Sequence, residues 1–345
     1  MDTERCLTGG GKPMKIELLL AVKQTGNIFE LSTCTKSISY TTNRMGSPGK
    51  LSFTVLKSGQ LSFTEGDQVR LTVDGTLVFY GWVFSKSKNR WGEIDVVCYD
   101  RLRYLKANAS YAFYTQTAGN ILRTIAADFQ LATSTVDNTG YAIPSLVQQS
   151  KSCMDIIGEA IQQTLLNTGK LFVLLDDGNG LSLRESRNMV APIGDVVVGD
   201  GSLLTTYTYK TDIDTQTYNS VRIAKADEEN GVWKAVEAMD SETIGQWGLL
   251  RLYKTANGDV NEAQMLSEAQ TTLQAYNRRN RTLSASSLGV VGVRAGMLLR
   301  MHVQGLGDMD LNQYVLLEKV THKWENNVHT MDFETVTIGD NNGTA

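Results

Sequence analysis

Apolar and polar residues alternate through most of the first hundred positions, which is the signature of strands with one buried face. Leu51, Phe53 and Val55 alternate with polar neighbours, Val69, Leu71 and Val73 do the same, and Ile94, Val96 and Cys98 add a further strand. Asp74-Gly75 separates the second run from Leu77 to Phe84, the strongest short hairpin signal, and Ser47-Pro48-Gly49 marks an earlier turn. Read in succession, these runs predict a meander. The phrase LSFT at 51 to 54 returns at 61 to 64 and predicts two strands with the same face pattern. Several short strands at this spacing suggest a small barrel or sandwich.

The period then changes. Ile121, Leu122, Ile125, Ala126 and Phe129 recur at helical spacing after Thr117 and predict about three turns of helix. Ser152 opens a second helix through Met154, Ile157, Ile161 and Leu165, with Asp155 as an acidic capping-box partner and Asn167-Thr168-Gly169 as a left-handed stop. Asp177-Gly178-Asn179-Gly180 joins Leu171–Leu175 to Leu181–Leu183 as a hairpin. Strands resume at Thr205–Tyr209 and Val221–Ile223. A third helix is expected from about Val260 to Arg279, with Leu266, Ala269, Leu273 and Tyr276 on its apolar face. The remainder, Met297–Val303 and Tyr314–Val336, is β-patterned. Met331, Phe333 and Thr335 share one face there, while Asp332 and Glu334 share the other.

Length turns this pattern into more than one domain, since 345 residues exceed the usual span of a single core. Hydrophobic residues make up 41% and charged residues 20%, so disorder, collagen and coiled coil fail as global descriptions. Apolar runs such as Ile16 to Val22 are too short to span a bilayer, so no membrane span is expected. The net charge of −4 lacks the basic footprint of a nucleic-acid binder, and no specific nucleic-acid binding is expected. Cys6, Cys34, Cys98 and Cys153 fit no zinc or redox spacing and read as mostly buried thiols made in a reducing cytosol. Residues 1 to 14 read as a flexible leader without the features of a secretory signal.

Candidate chemistry is sparse. Gly9-Gly10-Gly11-Lys12 resembles a phosphate loop, yet Cys6 stands where that loop needs glycine and Pro13 where it needs Ser or Thr. His302, His322 and His329 gather near Glu318 and Glu325, but their spacing matches no ligand motif, and a structural role is the simpler reading. No nucleophile elbow is present. Arg278, Arg279 and Arg281 are expected to end the third helix, where cations complement its dipole. The expectation is therefore no catalytic residue, no cofactor and no metal. Two other classes compete with this reading: a cell-wall hydrolase, which needs an acid pair or metal set, and a carbohydrate-binding module. The second could stack sugars on Trp82, Trp91, Trp233, Trp247 and Trp324, although tryptophans more often anchor cores and interfaces.

Several phrases occur in a familiar order. They are SPGKLSFTVL (47 to 56), EGDQVRLTVDGTLVFYGWV (65 to 83), DVVCYDRLRYLKAN (95 to 108), YNSVRI (218 to 223), DSETIGQWGLL (240 to 250), AYNRRNRTLSASSLG (275 to 289), GVRAGMLLRM (292 to 301) and YVLLEKVTHKWENNVHTMDFE (314 to 334). Together they resemble the baseplate hub family of contractile phage tails, tail-like bacteriocins and related injection machines, of the PBSX-prophage type. Late control protein D and the hub part of type VI secretion spike proteins are similar. CYDRLRYL is the most specific piece, and the resemblance runs from Lys15 to Thr337.

The resemblance implies an α+β, β-rich fold with two similar tube-forming β-barrel domains and two inserted or peripheral α+β domains. In this sequence the first barrel is expected at 15–103 and the peripheral domain at 104–195. The second barrel is expected at 196–225 plus 282–337, the inserted helix-containing domain at 226–281 and a tail at 338–345. Function is implied to be structural. Three chains would give six barrels, so a homotrimer would join a six-fold tail tube protein to a three-fold spike protein and line the conduit. Other baseplate proteins and the tape-measure protein are the further implied partners. The location implied is the virion or tail-like particle, assembled in the bacterial cytoplasm. Because the sequence ends at Ala345, soon after the hub-like part, the spike and any lysin are expected on separate chains. Tyr104, Trp247 and Tyr253, which border the barrel segments or lie in the inserted domain, are the expected subunit-interface aromatics.

Overall fold

The computed structural model describes residues 14–57, 61–194, 196–227, 232–256 and 260–336. The leader, Cys6, the glycine-lysine loop and the tail lie outside the described residues, apart from Met14. Two compact units divide the chain: residues 14–206 with 285–334, and residues 207–284 with 335–336.

The first unit opens with β1 (Ile16–Ala21), β2 (Ile28–Glu30), β3 (Thr35–Asn43), β4 (Lys50–Leu56), β5 (Gln68–Val73), β6 (Thr76–Lys88) and β7 (Glu93–Tyr99). Asp74 and Gly75, both at positive φ, form the tight β5–β6 turn, and the Asp74 carboxylate accepts the Lys15 N–H at 2.8 Å. The meander expected from the succession of runs holds for β5, β6 and β7, which pair in order, but not for the step from β4 to β5. β4 lies between β3 and β7, whereas β5 lies between β1 and β6, so β4 and β5 are not neighbours. The second LSFT is not a strand. Leu61 and Phe63 are buried, but buried Asp67 accepts the N–H groups of Thr64 (2.7 Å) and Lys23 (2.9 Å) and holds this stretch as a loop. Alternate residues of β1 and β3–β7, among them Leu18, Leu20, Phe53, Val69, Leu71, Phe79 and Val96, converge on one apolar core that also takes Trp324.

Next come β8 (Asn108–Thr117), α1 (Ala118–Asp128), β9 (Thr133–Val136), β10 (Ala142–Ser152), α2 (Cys153–Thr168), β11 (Phe172–Asp176) and β12 (Leu181–Glu185). Both helices start where the caps predict: Thr117 Oγ1 accepts from Asn120 N–H, and Ser152 Oγ accepts from Asp155 N–H. Gly169 ends α2 at φ 69°, in the left-handed region that glycine enters without cost. Ile121, Leu122, Ile125, Ile157 and Ile161 form a second core with Phe113 and Leu146 from the β8–β10 ribbon and Phe172 and Leu183 from β11 and β12.

After β13 (Val198–Gly199) and β14 (Leu204–Asp212), the second unit holds β15 (Ser220–Asp227), β16 (Val232–Met239), α3 (Ser241–Trp247), β17 (Arg251–Thr255) and α4 (Glu262–Tyr276). β15 pairs with β16 and β17 in a separate three-stranded sheet, on which Met265 and Ala269 of α4 pack against Val221 and Ile223. Of the expected apolar face, Ala269 is buried and Leu273 packs against the core, but Leu266 is exposed and Met265 and Thr272 are buried beside Ala269 instead. The expected helix also ran to Arg279. The true end is Tyr276 with Asn277 as cap, so Arg278 and Arg279 lie beyond the last turn and Arg281 belongs to β18 (Asn280–Leu288). The start is a full capping box between Asn261 and Gln264. β19 (Leu298–Val303), β20 (Leu311–Glu325) and β21 (Val328–Thr335) complete the chain. β20 pairs with β3, which joins the two ends of the sequence in a thirteen-stranded sheet whose main path runs from β14 to β2.

Candidate subunit interface on the outer face of β6

Strand alternation in VFYGWVF puts Phe79, Gly81 and Val83 inward and Tyr80, Trp82 and Phe84 outward. The outward rings continue into neighbouring segments as an aromatic ladder. Tyr80 meets Trp82 edge-on at 5.6 Å, Trp82 meets Tyr104 at 5.6 Å, and Phe84 meets Tyr104 at 5.8 Å and Tyr99 at 5.4 Å. Edge-to-face pairs at such distances each contribute about 0.5–1.5 kcal/mol beyond their buried area. Two guanidinium groups lie over the rings: Arg101 is 5.0 Å from the Tyr80 centroid and 5.6 Å from that of Trp82, and Arg103 is 5.5 Å from that of Phe84. Tyr104 tops the ladder at 38% exposure.

The ladder is held from beneath by charge. Arg101 Nη1 donates to both carboxylate oxygens of buried Asp176, at 2.8 and 3.0 Å, and to the Gly178 carbonyl at 3.2 Å. Asp176 also accepts the backbone N–H groups of Arg101 (2.9 Å) and Gly178 (2.8 Å). Arg294 Nη1 donates to the Asp176 carbonyl at 2.9 Å. One residue before Arg101, Asp100 accepts from the Gly49 and Leu102 N–H groups at 2.9 and 3.0 Å, the latter capping a 3-10 helix over Arg101–Lys106. Burial, reinforced by the Asp176 charge, pushes the Asp100 carboxyl up to about 8. Within the phrase CYDRLRYL each residue therefore has a place. Cys98 is in the strand core; Tyr99 and Tyr104 are in the ladder. Asp100 caps, Arg101 pairs, Arg103 stacks, and Leu102 and Leu105 enter the second core.

The three expected interface residues fall in different surroundings. Tyr104 belongs to the ladder in the first unit. Trp247 closes α3 and Tyr253 stands in mid-β17 at 55% exposure, opposite Arg222 in register, and both belong to the second unit. Sequence reading did not join Tyr80, Trp82, Phe84 and Tyr99 to Tyr104, although three aromatics at period two in VFYGWVF were a visible signal.

Two of the three histidines do meet. His322 Nε2 lies 2.7 Å from the Val293 carbonyl and its Nδ1 lies 2.9 Å from His329 Nε2. A carbonyl only accepts, so Nε2 of His322 carries the proton, Nδ1 accepts, and His329 Nε2 donates. Trp324 stacks on the His329 ring at 4.6 Å. Among the described residues no group of three or more His, Cys, Asp or Glu is placed to hold a metal ion.

Burial holds His322 below its ordinary value; burial and then the charge on His322 hold His329 down to about 4. The unfolded chain takes up these protons near pH 6.5 and the folded pair does not, so the pair leaves stability intact above pH 6.5 and lowers it as pH falls towards 4. After screening at partly exposed His329 the loss is about 1–2 kcal/mol. Urea titrations at pH 7 and pH 4.5 should show a smaller acid loss for His329→Gln, whose amide still donates but does not titrate. Equal acid loss in both proteins would contradict this.

The fold is that of phage tail proteins. A 43 kDa tail protein of prophage MuSo2 from Shewanella oneidensis superposes with a TM-score of 0.70 at 13% identity, covering 93% of this chain and 98% of that one. An E. coli component of the type VI secretion system, itself described as similar to bacteriophage tail proteins, gives a TM-score of 0.51 at 11% identity, covering 96% and 78%. The profile of the YQBQ-like family matches residues 38–336, and the chain belongs to that family. Its relative, the phage-like element PBSX protein XkdQ of Bacillus subtilis (strain 168), is 29% identical over 314 residues, 89% of this chain and 93% of XkdQ. Among the described residues no helix is long and apolar enough to cross a membrane.

Proposed function

We propose that the chain is a structural baseplate hub of a contractile phage tail or phage tail-like particle. Three copies join the six-fold tail tube to the three-fold spike and line the conduit. The observation that carries this reading is the tail-protein fold spanning nearly all of both chains in the superposition with the Shewanella protein. Two features of the molecule support a ring. A closed ring needs two different faces on each chain, and the large sheet ends in unlike strands, β2 and β14. Unpaired strand edges are templates for association, and ring closure covers them.

In this reading β1–β7 supply the first barrel, and the second, expected at 196–225 plus 282–337, draws on the strands within 196–212 and 282–335, because β15 pairs with β16 and β17 in a separate sheet. The ladder around Tyr104 is the aromatic contact between neighbours, with Trp247 and Tyr253 as contacts of the second unit. Aromatic and arginine side chains carry a large share of interface energy when desolvated, and the ladder offers both on a preorganised strand. The tube and spike proteins are the axial partners, and other baseplate proteins and the tape-measure protein meet the hub at its periphery and lumen. The test is an image of the assembled particle in which the copies of this chain are counted.

A further inference from the structure

One surface feature plays no part in either core or in the ladder. β6 and β7 end in the turn Asn89-Arg90-Trp91-Gly92, and Trp91 is 71% exposed, the highest value among the large hydrophobic side chains exposed in the described residues. The turn is built to hold it there. Asn89 Oδ1 accepts the N–H groups of Trp91 (2.9 Å) and Glu93 (3.1 Å), and Asn89 Nδ2 donates to Glu93 Oε2 at 2.7 Å. The Arg90 guanidinium lies 4.2 Å from the Trp91 ring centroid, so the pair is presented as one stacked unit.

The surrounding charge is one-sided. Lys36, Lys57, Lys86, Lys88 and Arg90 stand around this end of β4, β6 and β7, against Glu93 and Asp95. Glu93 is taken by Lys36, and Asp95 accepts the Thr54 hydroxyl at 2.6 Å. Lys86 is turned inward to the Phe63 carbonyl and ring. Lys57, Lys88 and Arg90 are exposed and have no carboxylate partner among the described residues.

We propose that this tip is a docking point for a protein partner whose surface presents carboxylates around an apolar recess, with Trp91 entering the recess and Lys57, Lys88 and Arg90 meeting the rim. Tryptophan and arginine dominate interface hot spots, and a turn already fixed by Asn89 loses little entropy on binding. Nucleic acid fits less well, because its affinity is built up from many phosphate contacts and the tip offers three free cations. The inference does not depend on the hub reading, since it uses a different surface and names only the partner's chemistry.

The test is photocross-linking of the full chain, made from its own locus with p-benzoyl-phenylalanine in place of Trp91. The expected result is a cross-linked peptide from a protein surface rich in Asp and Glu. With Lys88→Glu and Arg90→Glu added, its yield should fall at least ten-fold while circular dichroism stays unchanged. Cross-links to nucleic acid or lipid, to a peptide without acidic neighbours, or no cross-link would overturn the proposal. So would a yield that survives the charge reversal.

Discussion

Asp176→Ala should lower unfolding stability by about 3–5 kcal/mol, the typical cost of stranding a buried charge. The reason is specific to its position. Its carboxylate accepts two bonds from Arg101 Nη1 and two from backbone N–H groups, and both side chains of the pair are shielded from water. Removing the carboxylate leaves a guanidinium with little water and releases the group that lies over Tyr80 and Trp82. The loss should therefore appear twice: as a lower urea midpoint and as a weaker near-ultraviolet circular dichroism signal from the ladder rings. Asp176→Asn, which keeps an acceptor of the same shape, should lose less. Equal midpoints for wild type and Asp176→Ala would show that the pair contributes nothing net.

Gly81→Ala should be as damaging, for a steric reason. A β-carbon at Gly81 would lie 2.2 Å from the Tyr99 carbonyl oxygen and 2.6 Å from Phe79 Cζ, and the first obstacle is backbone that cannot step aside without opening the β6–β7 pairing. Overpacking of this kind costs about 1–3 kcal/mol when side chains can yield and more when backbone must move. We expect about 3 kcal/mol or more, read as a urea midpoint. Gly158 in α2 makes the opposite case, since nothing lies within 4 Å of its would-be β-carbon. Gly158→Ala should stabilise by about 0.5–1 kcal/mol through helix propensity alone. If both substitutions moved stability in the same direction, the packing assigned to Gly81 would be wrong.

Local signals in the sequence carried far, and long-range ones did not. Thr117, Ser152 and Gly169 marked the ends of α1 and α2 because caps are short-range devices that act within four residues. The Asp74-Gly75 hairpin was legible for the same reason. Strand order was not, because periodicity says which face is buried and nothing about which neighbour covers the edge. Hence β4 and β5 read as sequential partners although each pairs elsewhere. The second LSFT has a strand's pattern, but Asp67, just beyond it in Glu65-Gly66-Asp67, bonds it into a loop. The misplacement of Leu266 in α4 follows from a weakly apolar helix, in which Leu266 and Met265 compete for the core and only tertiary packing chooses. At the candidate interface, Tyr104 was picked out, while its supports were out of reach. Nothing in the sequence ties Arg101 to Asp176, which lies 75 residues away.

The hub account rests on copy number and symmetry, so it is tested most directly by electron cryo-imaging of the assembled particle with this chain traced at the tube-to-spike junction. The account predicts three copies around the axis, barrel one of each chain against barrel two of its neighbour, and the Tyr104 ladder in a contact between chains. Six copies, or one, at that junction would contradict it.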